Sequence, residues 1–293
     1  MLRLKYIVLV YRTMSCRKSI IYIIAICLLI FACKPKPADH ISSLTPPVGP
    51  QIKNIFYTNP SFKVIHVFVA LCDNKYQGIV PVPPKIGNGQ DPETNLYWGC
   101  DNGVRTYFKR SKDWQLVKKQ KGKKMIMERL IFKHRTQNVF LVADAWDGQA
   151  IEKTTEDFLF SCAGQLKDTI RYKKQVIGID GNAQLLAYIG HDGLMDFGLP
   201  NKFKNVDGKT RDCIILACIS KKYFSGFINQ AKANPLVWTT GLMCPEAYTL
   251  HDAIAGYIKN ESNEAIRKRA VSAYVKYQKC SVNAATNLLV SGW

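Results

Sequence analysis

Leu185-Leu186-Ala187-Tyr188-Ile189-Gly190-His191-Asp192-Gly193 is an apolar run that breaks into a glycine-flanked His, and Cys213-Ile214-Ile215-Leu216-Ala217-Cys218-Ile219-Ser220 repeats the pattern with a Cys. Short aliphatic runs without polar alternation predict strands buried on both faces. Residues 63–71, 138–145 and 235–240 read the same way, and helical patterns separate them. Strands alternating with helices predict an α/β fold with a mostly parallel central sheet flanked by helices. In such a sheet the carboxyl ends of the strands open onto one edge, where ligands bind. With neighbouring strands about 4.8 Å apart, His191 and Cys218 are expected to face one site, as a thiol nucleophile and imidazole base require.

The apolar run ending in His191, with the second ending in Ala217-Cys218, resembles the signature of the caspase-like cysteine peptidases, the group of caspases, metacaspases, legumains and gingipains. Ala217-Cys218-Ile219-Ser220-Lys221-Lys222-Tyr223-Phe224 is closest to the legumain and gingipain version. The resemblance spans roughly residues 62–258, and its specific part is these two motifs. It implies a caspase-like architecture, Cys218 as nucleophile, His191 as the group that protonates the leaving amine, and a peptide or protein substrate. Here Asp192 stands between the His and the Gly that follows it directly in that group. The oxyanion donors are therefore expected near Asp192 or Gly193 and Cys218, with Asp192 otherwise a turn residue. The spacing from His191 to Cys218 is 27 residues, against roughly 50 in caspases.

A helix expected over residues 221–233 would begin just after Cys218 and lower its thiol pKa through the helix dipole. Further helices are expected over 149–165, 247–259 and throughout 263–290, with one from near Asp101 to 108. Residues 113–134 are expected to form an inserted hairpin or an extra helix. Asp73, Asn74, Asp144 and Asp147 are expected on the active edge, where Asp73, Asp144 and Asp147 would recognise a Lys or Arg of a substrate. Thr239, Thr240 and Glu246 follow the fifth strand. The plainer reading of each is a helix cap or a strand terminus. His66 alternates within the first strand and reads as a core or face residue.

At the amino end, Arg17-Lys18 precedes an apolar run over 20–31 and Ala32-Cys33. This is the layout of a signal peptide and resembles a bacterial lipoprotein signal, which implies lipidation at Cys33, membrane attachment through the lipid, and a location in the cell envelope. Residues 1–13 read as an upstream extension ahead of a start at Met14. The apolar run is short of the ~20 residues needed to span a bilayer. Residues 34–60 form a Pro-rich tether, leaving 61–293 as one domain.

Removing residues 1–33, which hold five Lys or Arg and no acid, takes the net charge from +19 to +14. A basic surface of that size favours an acidic envelope polymer or lipid. The densest run, Lys118-Lys119-Gln120-Lys121-Gly122-Lys123-Lys124, reads as a solvated hairpin tip with no nucleic-acid motif beside it, so no nucleic-acid partner is expected. Beyond Cys33 seven cysteines remain. An odd number leaves a free thiol in an exported protein, and Cys218 is the candidate. The other six form up to three disulfides or pack as small hydrophobes. No spacing suggests zinc, and no cofactor is expected. Two other readings stand beside the thiol hydrolase: a caspase-like fold without turnover that serves as an envelope binding or assembly module, and an unrelated α/β lipoprotein.

Overall fold

The computed structural model describes residues 61–293. The expected signal segment with Cys33 and the tether lie outside the described residues. Ten strands and six α-helices follow one another from Lys63 to Val290. The central sheet has eight strands, ordered β10-β9-β8-β7-β1-β4-β3-β2. Its heart is β1 (Lys63–Ala70), β4 (Val139–Trp146), β7 (Leu185–Ile189), β8 (Asp212–Leu216) and β9 (Asn234–Thr239), all parallel. These are the aliphatic runs of the sequence. Every residue of β4 and β7 is buried, as strands covered on both faces must be.

In chain order the parallel strands lie 2-1-3-4-5, so the connections reverse direction between β1 and β7. One connection runs through α1 (Val104–Arg110) on one face, and the next through α2 (Ile151–Cys162) on the other. That reversal opens a crevice beyond the carboxyl ends of β1 and β7. α3 (Ser220–Ala231) joins β8 to β9 on the α2 face, and α4 (Ala247–Ile258) and α5 (Asn263–Gln278) cover the α1 face.

Residues 113–134 are the hairpin alternative: β2 (Trp114–Lys121) and β3 (Ile126–His134) extend the sheet antiparallel to β4. Lys118, Lys119 and Lys121 line the outermost strand, where charge discourages pairing with another chain. The segment after Trp98 turns until Gly103, and the helix starts only at Val104. The final stretch is not one helix. α5 ends at Lys279 in the left-handed region (φ 54°), α6 (Val282–Leu288) restarts behind a Ser281 cap, and β10 (Leu289–Val290) pairs antiparallel with β9. A second hairpin, β5 (Lys167–Tyr172) with β6 (Gln175–Asp180), lies over the α2 face. Its alternating, half-exposed residues carry little of the apolar signal that marks the central strands.

Cys72, Cys100, Cys162, Cys213, Cys218 and Cys244 are thiols in this structure, not disulfides. Cys162 and Cys213 hydrogen-bond to each other inside the core. Among the described residues no helix is long and apolar enough to cross a membrane.

Candidate active site

β7 and β8 pair in parallel with Ile189 opposite Leu216. His191 and Cys218 each follow that pair by two residues, so the two motifs end side by side at the carboxyl edge. Gly190 extends the pairing by donating its N–H to Leu216 O at 3.2 Å. Its φ of 150°, and a position where a Cβ would meet Ala70 O at 2.8 Å, admit only glycine at this exit from the strand.

Cys218 sits on a sharp turn from strand to helix. Ile219 lies in the left-handed region (φ 51°, ψ 29°), a conformation strained for a β-branched residue, and α3 begins at Ser220. Three contacts hold the turn. Ile219 N–H donates to Gly241 O at 2.9 Å, Ser220 N–H donates to Thr239 Oγ1 at 3.1 Å, and the Thr239 hydroxyl donates to Ala217 O. Thr239 therefore ties the turn to β9. The thiol is half-buried; it donates to Met243 O at 3.6 Å and its sulfur accepts from Met243 N–H at 3.4 Å.

The expected lowering of the Cys218 pKa is overturned. Burial pushes the thiol above its ordinary value, and the charge of Asp192 adds to the rise, while the hydrogen bond from Met243 opposes it. Desolvation of the thiolate is the largest cause of the rise.

His191 is buried, and its Nε2 donates to Asp196 Oδ2 at 2.7 Å. Asp196 also accepts Gly78 N–H at 2.9 Å, which fastens the loop after β1 to the loop after β7. The Tyr188 hydroxyl donates to His191 O at 2.8 Å. Among the contacts of the described residues His191 is hydrogen-bonded to Asp196 and not to Cys218. With Nε2 occupied, Nδ1 is the nitrogen left to serve a thiol.

Asp192 is fully buried and serves as a turn residue: its Oδ1 accepts Leu194 N–H at 3.1 Å and caps the 3₁₀ turn Gly193–Met195. Its Oδ2 is buried with no hydrogen-bond partner. Burial, with the nearby Asp196 charge, raises its carboxyl to about 7, against the pull of the Leu194 hydrogen bond. Gly193 packs against Phe197 and Ile151.

Asp73 and Asp147 lie at the ends of β1 and β4, where Gln90 bridges them at 2.8 and 2.6 Å, but Asp73 is buried with both oxygens bonded inside the protein, so its expected contact with a substrate is corrected and only Asp147 is open to the edge. Both also organise their own loops: Asp73 accepts Lys75 and Tyr76 N–H, and Asp147 caps a 3₁₀ turn through Gln149 N–H. Asn74 clasps Val82 through its backbone N–H and carbonyl. Thr240 binds Asn287 O, and Glu246 accepts from Tyr248.

Asp144 is a correction. It lies within β4, fully buried, where Arg129 of β3 clamps it at 2.6 Å through both Nε and Nη2, and His66 Nε2 donates to it at 3.0 Å. Burial alone would raise its pKa, but the Arg129 charge and the hydrogen bonds from Arg129 and His66 hold it below the ordinary value. No substrate reaches it, because the strand continues to Trp146 before the edge opens. His66 is a core residue, as its alternation in the first strand suggested, and there it joins a buried ionic cluster; its Nδ1 also accepts Asp180 N–H at 3.0 Å.

Sequence reasoning missed Asp196, Met243 and Tyr97. Tyr97 is buried where Cys72, Cys218 and Cys244 all act on it. Asp196 had a findable signal, an acid five residues beyond the His in a Gly-rich turn. Met243 and Tyr97 reach the thiol only through chain return. Exposed Tyr76, Val80, Met195 and Leu242 stand on the loops around this edge. Among the described residues no group of His, Cys, Asp or Glu is placed to hold a metal ion. No family model, no curated protein and no solved structure matches this chain.

Proposed function

We propose that the chain is a thiol hydrolase of the cysteine-peptidase kind, with a caspase-like architecture and a Cys218/His191 dyad. The observation that carries this reading is the Cys218 turn: a thiol presented by a strained strand-to-helix turn, next to a parallel strand that ends in His191. Strain held at one residue by surrounding contacts is characteristic of functional sites. Cys218 attacks a peptide carbonyl carbon and passes its proton to His191. His191, oriented by Asp196, gives that proton to the leaving amine, and water hydrolyses the thioester. The exposed apolar side chains around the edge suit a polypeptide substrate, and the partly exposed Asp147 offers a carboxylate for a cationic side chain. The protein is read as an exported lipoprotein, anchored through Cys33 and facing the cell envelope. Its basic surface is suited to an acidic envelope polymer.

One observation favours a second reading, an inactive fold that serves as an envelope binding or assembly module. The resting thiol is pushed above its ordinary pKa. Iodoacetamide labelling of the folded domain across pH, beside Cys218→Ala and His191→Ala, tests the two. Cys218 reacting in the folded protein, and slowing when His191 is removed, supports the hydrolase. A Cys218 inert until unfolding selects the binding module. Incorporation of a labelled fatty acid, lost in Cys33→Ala, tests the anchor.

A further inference from the structure

We propose that the amino edge of the central sheet docks on the anionic headgroups of a bilayer, which turns the Cys218 edge away from the membrane. The inference rests on the lipoprotein reading and deepens it by naming the face that meets the lipid. Cations stand at the entrance to nearly every strand that runs toward the Cys218 edge. Lys112 precedes β2, Arg135 lies in the turn before β4, Lys209 precedes β8 and Lys232 precedes β9. β1 itself begins at Lys63, and its register opposite Val139 puts the turn with Arg135 beside it. Leu185 opposite Asp212, and Asp212 opposite Asn234, carry the row on to Lys209 and Lys232. From β2 to β9 the row crosses six strand spacings, about 29 Å. Lys202 and Lys204 lie at the same edge, since Gln165, just past the end of α2, bonds both their carbonyls. So does Lys259, which ends α4 beside the Asn260 that Lys63 Nζ binds at 2.5 Å.

Lys112, Arg135, Lys209, Lys232 and Lys259 are exposed, and none is in an ion pair among the described residues. The acids of this edge are mostly neutralised: Asp207 by Arg211 and Lys167, Glu261 by Arg269, and Glu264 by Arg267. Asp113 and Asp168 are the exposed exceptions. The chain enters here as well. Asn138 Nδ2 donates to Ser61 O at 2.5 Å and Lys63 N–H donates to Asn138 O at 3.0 Å, so residues 1–60 join the domain at this edge. A lipid carried at Cys33 therefore tethers the domain by the edge that holds the cations, and basic residues supply the second attachment that a lipid anchor uses. One cation per strand across the width of a sheet fits an extended anionic plane. Cys218 lies six residues beyond Asp212, roughly 20 Å from the row. That exceeds the Debye length of about 8 Å at physiological salt, so the thiol stands outside the field of the lipid. The other exposed basic group, Lys121, Lys123 and Lys124, is the β2–β3 tip on the Cys218 side, where Asp147 N–H bonds Met125 O. Docking through that tip would press the Cys218 edge onto the bilayer.

Lysine acylation of the lipidated protein, anchored in vesicles, tests the orientation. Rates of reaction with the N-hydroxysuccinimide ester of acetic acid are read residue by residue by mass spectrometry, on phosphatidylcholine vesicles with and without phosphatidylglycerol. With phosphatidylglycerol, Lys112, Lys209, Lys232 and Lys259 are expected to react roughly fivefold more slowly, which corresponds to about 1 kcal/mol for a cation near an anionic leaflet. Lys123 and Lys124 keep their rates, and high salt removes the protection. The triple variant Arg135→Glu, Lys209→Glu and Lys232→Glu changes exposed, unpaired side chains, and it should leave Lys112 and Lys259 unprotected. Slowing of Lys123 and Lys124 in place of the edge overturns the inference, because the domain then lies the other way up. Protection by added polyglycerol phosphate on neutral vesicles, with none from phosphatidylglycerol, overturns it in favour of an acidic polymer. A lipidated protein with equal rates on the two vesicles removes the orientation alone. A chain that incorporates no labelled fatty acid removes the anchor reading, and this inference with it.

Discussion

His191 donates from Nε2 to Asp196 Oδ2 at 2.7 Å, and the same oxygen accepts Gly78 N–H at 2.9 Å. One carboxylate thus fixes both the imidazole tautomer and the position of the loop after β1. It stands five residues after the His it orients, within a turn held by Asp192 and Gly193.

Replacing Asp196 with Ala is expected to free the imidazole to adopt the other tautomer and to slow Cys218 acylation by an order of magnitude or more. Thermal stability should fall little, because Asp196 is one-third exposed. Rates measured beside melting temperatures check this. Equal losses in both would make Asp196 a structural brace and not an orienting group.

Asp192 also leaves a signature in stability. Its folded pKa of about 7 lies above the ordinary value of 3.8. The folded state therefore binds this proton more tightly than the unfolded state, and stability is greatest at low pH. The penalty grows as pH rises from about 4 to 7 and is complete above that range. Asp192→Asn removes the ionisation and should match wild type near pH 4 while exceeding it at pH 8, by roughly 4 kcal/mol at most. Urea unfolding at the two pH values reads the difference. Equal stability of the two proteins at pH 8 would show that the carboxyl is solvated.

Gly190→Ala places a Cβ where Ala70 O lies 2.8 Å away, on a backbone with φ 150°. A cost of roughly 2 kcal/mol or more follows from the strain and the clash together. The displaced turn also carries His191, so thiol acylation should fall further than stability alone explains. Gly198, which has open space where its Cβ would stand, is the control, and Ala there should be tolerated.

The five parallel strands were legible because burial on both faces erases polar alternation. Leu185–Ile189 and Asp212–Leu216 admit few other readings. The adjacency of His191 and Cys218 followed from the same runs, since parallel neighbours end on one edge. What surrounds the thiol was not legible. Met243, Tyr97 and Cys244 arrive from loops 25 or more residues distant or from the far side of the first crossover, and no local period encodes them. The raised pKa of Cys218 was not legible for a related reason: the start of a helix is visible in sequence, but the burial that raises the thiol depends on tertiary packing. The β5–β6 hairpin escaped because its strands are half-exposed and polar.

Asp144 shows the same limit from the other side, because a strand that ends in Ala-Asp-Ala-Trp looks as though it opens at the Asp. The pairing of Ala70 with Trp146 carries β4 two residues further and buries Asp144 between His66 and Arg129. Its charge is therefore structural. Asp144→Ala leaves the largely buried Arg129 guanidinium uncompensated and should cost about 3–5 kcal/mol. Removing both charges, as in Asp144→Leu with Arg129→Met, should recover much of that loss, because an apolar pair of similar volume avoids the desolvation of two ions. A double-mutant cycle by urea unfolding measures the coupling. Stability lost additively by the two substitutions would mean that the Arg129–Asp144 clamp contributes nothing as a pair, and that Asp144 is held in place by His66 alone.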